Sequence, residues 1–408
     1  MPISVWSRVA LISLGGFFEF YDIFFTGYIA PGLVRSGILT PTTPGLFGTT
    51  GIAGFVAAMF SGLFIGTALV SFVADRFGRR TIFTYSLLWY TAASVVMAFQ
   101  HDVFGLNLWR FISGIGVGVE LVTIDTYLAE LVPADLRGRA FAINQAIQFC
   151  AVPVVALLAW LLVPRAPFGL DGWRWVVLLG ASGAIVVWWI RRRVPESPRW
   201  LSQAVNRGSF FEMWQPPYRT RSIMLIIFHL FQTVGFYGFS NWVPTLLVKR
   251  GIAITSSLRY TFIIAIAAPF GPLLAAAIAD KLERKWQIVA AAFAVAVAGL
   301  LFAQMNAAAL LIFFGVLLTL GNNILSFSCH AYQAELYPTR IRALAVGFVY
   351  SWSRISVVFS SFVIGFFLER FGVAGVFSLI AGSMGIVMLA IGSLGPKTNN
   401  LALEAISQ

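Results

Sequence analysis

Long apolar runs separated by short polar clusters set the pattern of this chain. The runs fall at about 9–30, 51–74, 81–99, 105–131, 139–163 and 174–194, and after a longer polar break at 221–248, 258–280, 286–303, 308–335, 342–368 and 372–394. About 20 mostly apolar residues in a helix cross roughly 30 Å of hydrocarbon. Each run therefore predicts a membrane-spanning helix, and the even total of twelve places both termini on the same side.

Composition agrees with that solvent: 59% of the 408 residues are hydrophobic, 11% are charged, and the mean hydropathy is +0.85. With the N-terminus in the cytoplasm, 19 of the 28 Lys and Arg fall on that side and 7 outside, while Arg110 and Arg354 lie within helices. This bias predicts both termini inside. A net charge of +12 would also suit nucleic acid, but the basic residues sit in short loops between spans, so no nucleic-acid partner is expected. The opening "MPISVWSR" runs straight into a full-length span, which makes the first helix its own targeting signal. Cys150 and Cys329 both fall inside predicted helices, so neither a disulfide nor a metal site is expected. No phosphate loop, zinc-hydrolase helix or nucleophile elbow occurs, and an enzyme or a resident cofactor is not expected. Gly114, Gly116 and Gly118 in "SGIGVGVE" lie in an apolar span with no strand before them; they predict a small-residue face for close helix packing.

An internal repeat organises the rest. "ELVPADLRGRA" from Glu130 matches "ELYPTRIRALA" from Glu335, a shift of 205 that also carries Asp75 onto Asp280, Arg79 onto Arg284 and Gly66 onto Gly271. The expected fold is an all-α membrane protein of two parallel six-helix repeats. Its predicted parts are 1–194, a cytoplasmic connector over 195–220 that lies on the membrane surface, 221–394, and a cytoplasmic tail over 395–408. Parallel halves of this kind describe a secondary transporter with its substrate held between them.

"ADRFGRR", "RFISGIGVGVE", "AELVPADLRGRA", "PESPRWL" and "AELYPTRIRA" occur in order along essentially the whole chain. These segments resemble the signature loops of the major facilitator superfamily, in its sugar-porter-like and organic-ion-transporter-like branches. "GGFFEFYD" on the first span and an arginine on the eleventh look most like bacterial niacin and aromatic-acid transporters. Tyr237 stands where the sugar porters would carry Asn, and the tail "GPKTNNLALEAI" lacks their Pro-Glu-Thr-Lys-Gly.

The recurring charges at helix ends predict a cytoplasmic gate. Asp75, Arg76, Arg79, Arg80, Glu130 and Arg137 in the first half, with Asp280, Arg284, Glu335 and Arg342 in the second, would pair in the outward-facing state and separate in the other. Each solvent-touched pair is worth about 1 kcal/mol or less. Ordinary positive-inside anchoring explains the arginines but not acids at the same offset.

Charges within the spans are costly and mark function by default. Glu19 and Asp22 lie about 15 and 20 Å along the first helix from Val9. Three residues apart on one face, they resist ionising together, which suits a proton carrier. Arg354 lies 12 residues past Arg342, about 18 Å into a core roughly 30 Å thick. Such a guanidinium needs an anion: a permanent carboxylate partner (Glu19, Asp22, Glu120 or Asp125) or the substrate, and the resemblance to organic-anion transporters favours the substrate. Arg110, beside Trp109, is expected to reach the outer interface as an anchor or outer-gate residue. Glu120, Gln148, His229, Gln232, Tyr237, Asn241, His330, Trp352 and Tyr21 complete the candidate substrate lining, with helix joining or core packing as the alternative for each.

The sequence thus predicts a monomeric, multi-pass transporter of the inner membrane that takes up a small organic acid, possibly aromatic and niacin-like, with protons. The rival readings are a sugar or polyol symporter and a drug or organic-cation exporter.

Overall fold

The structure, a computed structural model, describes residues 5–39, 43, 51–77, 79–132, 137–191, 209–278 and 282–398. The first half contains α1 (Val5–Arg35), α2 (Gly51–Phe77), α3 (Arg79–Ala98), α4 (Val103–Leu131), α5 (Arg137–Phe149), α6 (Ala151–Leu162) and α7 (Gly172–Arg191). The second contains α8 (Tyr218–Ser240), α9 (Val243–Lys249), α10 (Ile254–Ala265), α11 (Phe270–Ile278), α12 (Arg284–Gln304), α13 (Ala308–Glu335) and α14 (Thr339–Leu394). Among the described residues eight helical stretches are long and apolar enough to cross a membrane. The last, Leu344–Leu394, has 51 residues, about 75 Å of helix and enough for two passes. With α2, α3 and α4 the passes number twelve, as the apolar runs predict.

The spans are helical because hydrocarbon offers no partner for backbone N–H and C=O groups, which a helix satisfies internally. Their breaks have local causes. Pro153, Pro244 and Pro269 each lack an N–H for the carbonyl four residues earlier. The fifth, seventh and eighth spans are interrupted at or just before these prolines, giving α5–α6, α8–α9 and α10–α11. At the last break Asn323 Nδ2 of α13 donates to the Ala268 carbonyl at 2.8 Å, restoring a partner to a backbone group freed from the helix. The two arms of α14 meet at Gly372, whose φ of 65° and ψ of −164° belong to a region essentially reserved for glycine.

Close packing within the first half uses the predicted glycine face. A Cβ built on Gly114 or Gly118 would lie 2.2 Å from the carbonyl oxygens of Met59 and Leu63 on α2, and one on Gly116 would strike Trp89 and Tyr90 of α3. The two halves meet through α14 against α2, α6 against α10, α5 against α11 and α1 against α9. Large apolar side chains such as Phe293, Phe313, Phe359 and Leu389 remain exposed on the outside of the bundle, where lipid would cover them.

Candidate functional site

Between the halves lies a cavity of about 70 Å³, lined from the first half by α1, α5 and from the second by α8, α13 and α14. By the same measure one water needs roughly 10–15 Å³, so the space suits a small solute. It brings together Glu19, Gln148, His229, Gln232, Tyr237, His330 and Arg354 of the predicted site residues.

Arg354 is 1% exposed. Its Nη1 donates to the Tyr237 hydroxyl at 3.2 Å and its Nη2 to the Tyr350 hydroxyl at 2.6 Å. The guanidinium also stacks over the Tyr350 ring, 4.7 Å from its centroid. Its Nε–H has no hydrogen-bond partner among the described residues. No carboxylate among the described residues lies within ion-pair distance of Arg354; the ion pairs among them include Arg110–Asp22, Arg174–Asp171 and Arg284–Glu335. Two tyrosine hydroxyls thus bond the charge at the edge of a cavity that Glu19 also lines.

Tyr350 was not among the residues expected from the sequence. The available signal was its position four residues before Arg354, on the same face of one helix. Its ring lies between two histidines, 5.3 Å from the His229 ring and 5.1 Å from the His330 ring. Gln333 joins these histidines: its Oε1 accepts from His229 Nε2 at 2.9 Å, and its Nε2 donates to His330 Nδ1 at 3.2 Å. Aromatic walls complete the cavity. Phe149 lies 5.1 Å from Phe20 and 6.2 Å from Phe236, and Tyr237 lies 4.7 Å from Phe60 of the opposite half.

Asp22 turns away from this cavity. Within the first half its carboxylate accepts from Arg110 Nη1 at 2.8 Å, Ser94 Oγ at 2.7 Å and Ser113 Oγ at 3.1 Å. Arg110 also donates to the Thr26 hydroxyl and stacks over Phe25 at 4.2 Å. Arg110 is 0% exposed, which corrects its expected place at the outer interface: a buried carboxylate on α1 holds it inside. Three residues apart, Glu19 and Asp22 thus serve two environments, one facing the cavity and one facing Arg110.

Three further candidates lie off the cavity. The Tyr21 hydroxyl donates to the Val176 carbonyl at 2.7 Å. Trp352 packs against Phe348, ring centroids 6.3 Å apart. Asn241 sits at the break between α8 and α9. The side chains of Glu120, Asp75, Arg76, Arg79, Arg80, Glu130 and Arg137, and Asp280, lie outside the described residues. Of the expected gate, Arg284 and Glu335 form an ion pair, but it joins α12 to α13 within one half. Arg342 donates to the Tyr337 carbonyl at 3.1 Å, also within that half.

Two parallel six-helix halves around a central polar cavity define a secondary transporter. The sequence comparison specifies the family: residues 12–321 and 261–403 match the model described as Major Facilitator Superfamily, and the chain belongs to it. A Bacillus subtilis (strain 168) chain provisionally named the metabolite transport protein YyaJ is 30% identical, with 98% of this chain and 94% of that one covered. The niacin transporter NiaP of Acinetobacter baylyi is 28% identical, covering 100% and 98%. A solved D-xylose-proton symporter superposes with a TM-score of 0.81 at 20% identity, over 96% of this chain and 98% of that one. The protein is thus a multi-pass membrane transporter, and its family relatives are transporters rather than enzymes.

Proposed function

We propose that this transporter takes up a small organic carboxylate, of the aromatic, niacin-like kind, together with protons. The observation that carries the reading is Arg354: a buried, permanently charged guanidinium at a cavity, bonded to two tyrosine hydroxyls and with no carboxylate at ion-pair distance among the described residues. A planar guanidinium matches a carboxylate bidentately, and the phenyl and tyrosyl walls suit a flat ring. The name of the Acinetobacter relative points the same way.

Proton coupling belongs to Asp22, with Glu19 beside the substrate. Protonating Asp22 removes the counter-charge of Arg110 and loosens α1 from α4, which ties proton binding to rearrangement of the first half. A proton on Glu19 offsets the charge that the acid brings into the cavity. The orientation has both termini and the 195–220 connector on the cytoplasmic side of the inner membrane, with a monomer in lipid as the working unit. The charged helix ends at Asp75, Arg76, Arg79, Arg80, Glu130, Arg137 and Asp280 form the cytoplasmic gate.

A sugar or polyol symporter is the second reading, favoured by the cavity amides Gln145, Gln148 and Gln232. A neutral solute would bring no anion to Arg354. Thermal unfolding of the purified protein separates the two: nicotinate or benzoate at saturating concentration should raise Tm by several degrees, whereas the matching neutral amides and xylose should not. Stabilisation by sugar with none by any acid would overturn the carboxylate assignment.

A further inference from the structure

Gln333 places an amide between two imidazoles of the cavity wall, and the two ends of an amide are not interchangeable. Its carbonyl oxygen only accepts hydrogen bonds and its NH2 only donates them. The oxygen faces His229 Nε2 at 2.9 Å, and the NH2 faces His330 Nδ1 at 3.2 Å. His330 Nδ1 is therefore the bare nitrogen of its ring, because a hydrogen there would meet the NH2 head-on. The ring carries its hydrogen on Nε2.

That Nε2–H is a donor with no partner among the described residues. His229 and Gln333 are 3% and 2% exposed and bond each other, whereas His330 is half-buried and lines the cavity. One tyrosine connects it to Arg354. The Tyr350 ring centroid lies 5.1 Å from the His330 ring and 4.7 Å from the Arg354 guanidinium carbon, so imidazole and guanidinium are no farther apart than the sum of these distances. With hydrogen bonds of roughly 3 Å at each end, one small ring can touch both. Phe20, Phe149 and Phe236 line the same cavity and offer flat apolar walls.

We infer that His330 determines which ring the transporter accepts: its Nε2–H donates to an acceptor atom on the ring of an acid whose carboxylate meets Arg354. The inference rests on the carboxylate reading of this site and narrows it to acids with a bare ring nitrogen, the pyridine carboxylates. Benzoate has the same shape but turns a C–H towards Nε2. A donor left facing carbon in a closed site is unfavourable, and a site that hydrogen-bonds its substrate rejects the analogue without the partner atom.

The test is the affinity of nicotinate and of benzoate for the purified full-length protein at neutral pH. Wild type should bind nicotinate about ten-fold more tightly, the worth of one such bond. His330→Phe keeps a flat ring without the donor; it should still bind both acids, with nicotinate no tighter than benzoate. Equal affinities in wild type, or a nicotinate preference that survives in His330→Phe, overturn the role of His330 and leave the carboxylate reading standing. Binding of neither acid by wild type overturns both. If His330→Phe does not fold, wild type decides with the positional isomers. With the carboxylate on Arg354, one placement of the ring nitrogen meets Nε2, so picolinate, nicotinate and isonicotinate should differ about ten-fold between the best and the others. Three equal affinities overturn the inference.

Discussion

Asp22 and Arg110 show what a charged residue in lipid requires. Each would be expensive alone, and together with Ser94, Ser113 and Thr26 they form a hydrogen-bonded cluster that joins α1, α3 and α4. Breaking such a pair by removing one partner costs about 3–5 kcal/mol, because the other charge stays buried. Asp22→Asn should therefore lower thermal stability, and it should abolish accumulation driven by an inward pH gradient while counterflow of substrate persists. Undiminished accumulation in this variant would remove Asp22 from coupling. The presence of three intramembrane charges, Glu19, Asp22 and Arg354, could be read from the sequence because each interrupts an apolar run. The partner of Asp22 could not. Counting residues from a helix end gives depth, but the side that Arg110 faces depends on how α1 packs against α4. Tyr237 and His229 were legible as polar positions in the seventh span, whereas the role of Tyr350 appeared only once Arg354 was seen to rest on it.

At the scale of elements, hydropathy located the spans well because every backbone group in hydrocarbon must bond within its own helix. It could not locate the breaks. A proline announces a lost hydrogen bond, but whether the helix kinks, splits or continues depends on what restores the freed carbonyl. At the eighth span the Ala265 carbonyl, freed by Pro269, accepts from the Ala268 amide, and the Ala268 carbonyl, freed by Pro272, accepts from Asn323, two passes further along the chain. Asn323→Ala leaves the Ala268 carbonyl without that donor, a loss of about 1–3 kcal/mol for a buried group. A lowered unfolding temperature with unchanged substrate preference is expected. Full stability in that variant would mean that the break is supported some other way. The long α14 makes the same point: the hydropathy pattern divides it into two spans, and Gly372 lets them join without an intervening coil.

For the whole molecule, the repeat of 205 residues foretold two parallel halves, and the cavity lies where they meet. The repeat could not say which charged pairs bridge the halves. Arg284 and Glu335 bind each other across α12 and α13. Above them Lys285 Nζ reaches the Gly395 carbonyl, Tyr332 the Pro396 carbonyl, and Glu283 accepts from the Thr398 amide, at 2.8, 2.7 and 2.8 Å. These contacts bind the end of the second half into one body, a different task from latching two halves together. On the proposed function, selectivity rests on Arg354, which no carboxylate among the described residues meets at ion-pair distance. The most direct measurement is the affinity of an aromatic acid and of its neutral amide for wild type, Arg354→Ala and Arg354→Lys. Wild type should strongly prefer the acid. Arg354→Ala should lose about 2–5 kcal/mol of acid binding, as truncation of a buried charge partner does, and bind acid and amide nearly alike. Arg354→Lys keeps the charge without the planar fork and should recover part of the loss. An alanine variant that is less stable yet still prefers the acid would contradict the assignment and make Arg354 a structural residue.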